Sequence, residues 1–185
     1  MPRLACAGWE SALALPAKGT ASKPTGVPGE SMDIAIELAE APTREVVALL
    51  EELDAALAGY AADQCHAYSI DQLFQPNVRF FVARLDGAAA GCGGVAYFDG
   101  YAEVKRMYTK ASVRGQGVGK ELLRRIEAAA RDAGAAVLRI ETGAYQREAL
   151  RFYEGAGFRR RGPFGPYLGL TAHAIELSLF YEKAL

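Results

Sequence analysis

The stretch Arg114-Gly115-Gln116-Gly117-Val118-Gly119, followed by Lys120-Glu121-Leu122-Leu123, is where this chain is best equipped to hold an anion. A β-rich run ends just before it at Thr109, and an amphipathic helical pattern begins inside it. Strand, glycine loop and helix start can build an anion site from backbone alone. Glycines let the chain approach a ligand without side-chain clash. The first helical turn leaves N–H groups unpaired, and the helix dipole adds a favourable field. The implied chemistry is the holding of a phosphate or pyrophosphate. Two common phosphate motifs fail by letter. A G-x-G-x-x-G begun at Gly115 needs glycine where Lys120 stands. A P-loop ending on Gly119-Lys120 needs glycine in place of Arg114 and Ser or Thr in place of Glu121. What remains is Arg-x-x-Gly-x-Gly.

The elements that must position this loop can be read from periodicity. Residues 34–39 alternate apolar and polar and predict a strand. Thr43 is a plausible N-cap for a helix whose stripe is Val46, Val47, Leu49, Leu50, Leu53 and Leu57, closed by Gly59. Ser69-Ile70-Asp71-Gln72 reads as a capping box opening a short helix through Phe74. Strands follow at 78–85, 88–98 and 101–109, with Asp86-Gly87 and Asp99-Gly100 as hairpin turns. Gly91, Gly93 and Gly94 predict a bulge or a close backbone approach. After the loop come a helix carrying Val118, Leu122, Ile126 and Ala129 on one face, a strand at 136–142 and a helix at 146–156. Strands are then expected at 158–161 and 174–182. The order β-α-α-β-β-β-α-β-α-β-β predicts a mixed α/β sheet with helices on both faces, its strand-loop-helix-strand centre parallel and right-handed.

Composition narrows the classes. The chain has 185 residues, 51% hydrophobic and 23% charged, with net charge −1. That fits one globular domain and no nucleic-acid partner. Cys6, Cys65 and Cys92 are odd in number and widely spaced, so neither a disulfide framework nor a metal site is expected. No run is apolar enough to predict a membrane span, and a cytoplasmic location is expected. Residues 1–31 lack periodicity and are expected to be a flexible extension, with the functional domain at 32–185.

This order, with Arg114-Gly115-Gln116-Gly117-Val118-Gly119 at its centre, resembles the GNAT superfamily of N-acetyltransferases. The family's acyl-CoA signature is Arg/Gln-x-x-Gly-x-Gly/Ala. A second match is Ala149-Leu150-Arg151-Phe152-Tyr153-Glu154-Gly155-Ala156-Gly157-Phe158, similar to the family's later helix motif. The resemblance covers roughly 32–185. It implies the acyl-CoA N-acyltransferase fold: a mostly antiparallel twisted sheet whose central parallel strand pair splays apart. It also implies acetyl-CoA as co-substrate, with no metal. Backbone N–H groups of Gln116, Gly117, Gly119 and Lys120 would hold the pyrophosphate, with Arg114, Gly115 and Val118 completing the loop. Met107, Tyr108 and Thr109 would lie along the pantetheine arm, which pairs like a missing strand. Many members carry Asn where this chain has Gln146; an amide contact to the cofactor is expected there, with one more carbon of reach.

Acetyl transfer to an amine needs a neutral nucleophile, a donor for the developing oxyanion and a proton for the departing thiolate. Tyr153 matches the family's tyrosine and is the candidate acid; the plainer alternative is a core aromatic. Glu103 and Glu141 compete as general base, the alternatives being salt-bridge partners or a water relay. Strand alternation puts Glu103, Lys105 and Met107 on one face. His66 and His173 are weaker candidates. Cys92 as an acyl carrier is a rival mechanism. The acceptor site is expected to be lined by Tyr60, Tyr68, Phe74, Arg79 and Phe164-Gly165-Pro166-Tyr167, with Arg79, Lys105 or Arg106 available to pair a carboxylate.

The expected activity is acetyl transfer to the primary amine of a small molecule by direct attack in a ternary complex. Two alternatives stand beside it: acetylation of a protein or peptide, and a non-catalytic CoA sensor or interaction module. A homodimer is common in the resembled family.

Overall fold

The computed structural model describes residues 32–58 and 67–185. The expected extension at 1–31, Gly59, Tyr60, Cys65 and His66 therefore lie outside the described residues. Among the described residues seven strands form one sheet: β1 (Ile34–Ala39), β2 (Val78–Leu85), β3 (Ala88–Phe98), β4 (Tyr101–Thr109), β5 (Val137–Gly143), β6 (Arg159–Arg161) and β7 (Ser178–Ala184). Their spatial order is β1-β2-β3-β4-β5-β7-β6. Every neighbouring pair is antiparallel except β4 and β5. The helices are α1 (Arg44–Leu57), α2 (Ile70–Leu73), α3 (Val118–Asp132), α4 (Arg147–Gly155) and α5 (Ala172–Leu177).

The local signals act as the side chains require. Thr43 Oγ1 accepts the Val46 N–H at 3.3 Å and starts α1. At α2, Ser69 Oγ accepts from Gln72 N–H while Gln72 Oε1 accepts from Ser69 N–H, a complete capping box. One sheet face carries α1 and α2 through Val46, Leu49, Leu50, Leu73, Phe80 and Cys92. The other carries α3 and α4 through Phe81, Val95, Val104, Leu122, Ile126 and Tyr153. Leu122 and Ile126 are fully buried, and burying such a side chain stabilises the fold by about 1.5–3 kcal/mol. Phe80 and Phe81 enter opposite cores because successive strand side chains alternate.

Three features shape the centre of the sheet. β4 and β5 pair only at Ala102↔Leu138 and Glu103↔Arg139, and then splay. β3 pairs β4 with Gly94 opposite Lys105 but Cys92 opposite Tyr108, so β4 holds one extra residue between them. Arg106 sits at that bulge with φ +53°, a left-handed conformation for a residue with a Cβ, which costs about 1–3 kcal/mol. Just past the bulge, glycine is required by close approach: a Cβ on Gly91, which pairs with Thr109, would lie 2.5 Å from the Tyr108 carbonyl.

The bulge corrects one expectation. Met107 does not share a face with Glu103 and Lys105; it packs against the α3 core. Lys105 and Arg106 instead point to the α1 side in succession, Arg106 reaching Asp54 on α1. A second correction is α5. Residues 172–177 are helical where strand was expected from 174, because Thr171 Oγ1 accepts the Ala174 N–H and caps a short turn of helix before β7.

Candidate active site

The splay between β4 and β5 opens two chambers that meet at Tyr153. The first is a cleft of about 740 Å³ running from the glycine loop along the free side of β4. Gly115 and Gly117 take φ +79° and +93°, which turns the chain into α3. Gly117 is the N-cap and supplies no side-chain cap. The first helical N–H groups, those of Val118, Gly119 and Lys120, therefore have no partner within the helix. A Cβ on Gly119 would meet only Thr109 and Phe152, at 3.5 and 3.7 Å, which is ordinary contact. Protein packing does not demand glycine there, and the space serves whatever fills the cleft.

Met107, Tyr108, Thr109, Arg114, Gly115, Gly117, Val118, Gly119, Lys120 and Gln146 all line this cleft. Gln116 does not. Its N–H bonds the Val113 carbonyl at 3.3 Å and its side-chain amide the Ser112 carbonyl at 3.2 Å, so it braces the loop from behind. Arg114 is tied to Glu148 across the mouth at 2.8 Å.

The second chamber is smaller, about 120 Å³, and lies on the α1 side. It is lined by Tyr68, Glu103, Lys105, Arg106, Glu141, Thr142, Gly143 and Tyr167, with Leu53, Leu57 and Ile140 as apolar wall. Glu103 is 1% exposed. Its Oε1 accepts from Lys105 Nζ at 2.7 Å and from Tyr167 OH at 2.6 Å. Lys105 Nζ also lies 3.1 Å from Tyr167 OH and 4.4 Å from the centre of the Tyr68 ring. Glu141 is half-buried, and its Oε1 accepts from Ser178 Oγ at 2.6 Å.

Tyr153, Met107, Gln146, Leu53 and Leu57 line both chambers. Tyr153 is 7% exposed and is held between Phe152 and Phe158, ring centres 5.4 and 5.8 Å away. Phe158 reaches that position because Gly157, at φ +91°, lets the chain turn back so that Phe158 N–H bonds the Tyr153 carbonyl at 3.0 Å. Burial, and then the negative charge of Glu141, push the Tyr153 phenol above its ordinary value. Burial and the Glu103 carboxylate push Tyr167 up as well. Both are therefore protonated, hydrogen-donating groups at neutral pH. Gln146 accepts from Thr142 Oγ1 at 3.2 Å, which fixes its amide at the junction.

Several expected site residues go elsewhere. Phe74 packs into the α1–α2 core and Phe164 into a separate cluster with Tyr101, Tyr167 and Phe180. Arg79 lies by Tyr97, and neither it nor His173 lines the second chamber. Cys92 is fully buried, and burial pushes its thiol up to about 12, which leaves no thiolate to carry an acyl group. Among the described residues no cluster of His, Cys, Asp or Glu has metal-binding geometry, and no described helix is long and apolar enough to cross a membrane. Ser178 was not foreseen in the site; it sits 37 residues from Glu141, and only the β5–β7 register brings it close.

A cleft beside a splayed parallel pair, opened by a glycine loop at a helix start, is the arrangement that the resemblance to the GNAT superfamily implies. The family model described as Acetyltransferase (GNAT) family matches residues 46–158. An IAA acetyltransferase of Azospirillum brasilense is 45% identical over 150 residues, covering 79% of this chain and 95% of the relative. A crystal structure from Klebsiella pneumoniae, described as an acyl-CoA N-acyltransferase, is 33% identical with TM-score 0.67, covering 82% of this chain and 97% of that one. A structure from Bacillus anthracis described as a streptothricin acetyltransferase, in complex with acetyl coenzyme A, is 25% identical with TM-score 0.52, covering 60% of this chain and 64% of that one. The chain belongs to the GNAT acetyltransferase family and is an acyltransferase.

Proposed function

We propose that this chain transfers the acetyl group of acetyl-CoA to the primary amine of a small molecule by direct attack in a ternary complex. The observation that carries this reading is Tyr153 at the meeting point of the two chambers. The acetyl-CoA found in the Bacillus anthracis structure supports the donor, and the unpartnered N–H groups of the loop suit its pyrophosphate. A chamber of about 120 Å³ favours a small acceptor over an extended peptide.

Bound acetyl-CoA supplies the activated acetyl group. Glu141 is the preferred base. It lines the acceptor chamber, is reached by solvent, and is close enough for its charge to act on Tyr153. Glu103 is better suited to positioning: its Oε1 is committed to Lys105 and Tyr167 in a buried pair. Glu141 takes a proton from the amine as the N–C bond forms. Tyr153 gives its proton to sulfur as the C–S bond breaks, and the proton held by Glu141 returns to Tyr153 through solvent. A phenol held above its ordinary value stays loaded for this task at neutral pH.

The test is thiol release from acetyl-CoA across amino acids, polyamines, simple amines and peptides. Release with a small amine supports the reading. Binding of acetyl-CoA with no release to any acceptor would return the chain to a sensor role.

A further inference from the structure

The acceptor chamber holds two cations that are not equally satisfied. Lys105 is matched inside it by Glu103 at 2.7 Å, by Tyr167 OH at 3.1 Å and by the Tyr68 ring. Arg106 is not. Its side chain is 8% exposed, and its one ion pair among the described residues, at 2.6 Å, runs to Asp54, which is 61% exposed and faces water. Its Nε is buried with no hydrogen-bond partner among the described residues. A buried guanidinium donor left unpartnered is costly, and an exposed counter-ion is screened. The bulge that turns Arg106 to this side adds backbone strain at φ +53°. Strain and bulges of this kind re-aim side chains beside functional sites.

Resting on the transferase reading above, we propose that Arg106 receives a carboxylate of the acceptor, so that the substrate class is a small amino acid rather than a polyamine or a simple amine. A guanidinium fork matches a carboxylate in plane and in number of donors. The lining then balances a zwitterion: Lys105 and Glu103 neutralise one another, Arg106 meets the carboxylate, and Glu141 faces the amine. Leu53, Leu57, Tyr68 and Ile140 leave an apolar wall for the substrate's side chain.

The experiment measures thiol release by the full chain with a panel of amino acids, each beside its neutral amide and its decarboxylated amine. At least one amino acid should exceed its amide in kcat/KM by about 100-fold, the range expected when a buried charge pair is lost. In Arg106→Gln that ratio should fall towards one, through KM for the amino acid, while KM for acetyl-CoA does not follow. Circular dichroism and the thermal midpoint check that the variant folds. If it does not, the acid-to-amide ratio of the unaltered chain decides alone. Equal or better use of amides, amines or polyamines overturns the proposal, as does an Arg106→Gln ratio that stays high. Preference for aminoalkylphosphonates over carboxylates overturns the carboxylate assignment. Failure of every amine to release thiol, with acetyl-CoA bound, overturns the transferase reading and this proposal with it.

Discussion

The cleft at the glycine loop and the chamber on the α1 side, the proposed donor and acceptor sites, are built on opposite principles, although both border β4. The cleft recognises through backbone: glycines at positive φ, helix N–H groups without partners, and a strand edge left open by the splay. The chamber offers side chains, gathered from α1, β4, β5 and the segment around Tyr167, and locked by the buried Lys105–Glu103 pair. Backbone recognition is indifferent to most side chains and suits a constant ligand. Side-chain recognition can be changed one residue at a time and suits a ligand that differs among relatives. Tyr153 lines both, which is why the proposed reaction is placed there.

Substitutions can break this contrast, and the largest effect is expected at the cleft. Gly117→Glu puts a charged side chain at φ +93° and at the mouth of the anion site. Calorimetry should find acetyl-CoA binding abolished, and unchanged binding would remove the loop from the donor site. Tyr153→Phe keeps the packing between Phe152 and Phe158 but removes the proton. It should lower kcat by about 100-fold or more with acetyl-CoA affinity nearly unchanged. Equal turnover would make Tyr153 a core aromatic only.

The chamber should respond through stability. Glu103→Gln leaves Lys105 buried beside a neutral partner, and breaking a buried pair costs about 3–5 kcal/mol, readable as a lower denaturant midpoint. A midpoint equal to that of the unaltered chain would show that Lys105 finds another partner and that the pair does not lock the chamber. The smallest effect is a pH dependence. Tyr153 and Tyr167 are both held above the ordinary tyrosine value. The stability they contribute is fully present below about pH 10 and is lost as pH rises towards their folded values, because the unfolded chain ionises first. Tyr167→Phe should flatten the alkaline fall in thermal midpoint, and an unchanged slope would show that Tyr167 titrates normally.

The same contrast explains what could be read in advance. The loop side of the cleft is local in sequence: strand, loop and helix lie within 101–132, and the glycines, the arginine and the helical stripe announce themselves by spacing. Strands β1 to β4 fell where alternation and the two hairpin turns put them, and α1 and α2 started at the expected caps. The chamber is not local. Glu103 and Tyr167 bond across 64 residues, and no periodicity announces that pair. The reading of 174–182 as strand holds from Ser178 and fails at 174–177, because Ile175, Leu177 and Leu179 alternate as well in a short capped helix leading into a strand as they would in a strand alone. The β3 glycines announce the irregularity at Cys92–Gly94, but not its effect on β4, because consecutive Lys105 and Arg106 look like opposite faces until the partner strand is counted.

That bulge makes Arg106 a parenthesis in its strand. Val104 and Met107 point to the α3 side, Lys105 and Tyr108 to the α1 side, and Arg106 points with Lys105. Removing residue 106 would leave every other side chain of β4 on the face it now occupies, since alternation resumes at Met107 as though nothing had intervened. A single-codon gain or loss at this place can therefore add or withdraw a guanidinium from the acceptor chamber while the strand's remaining grammar, and the donor cleft beyond it, stay as they are.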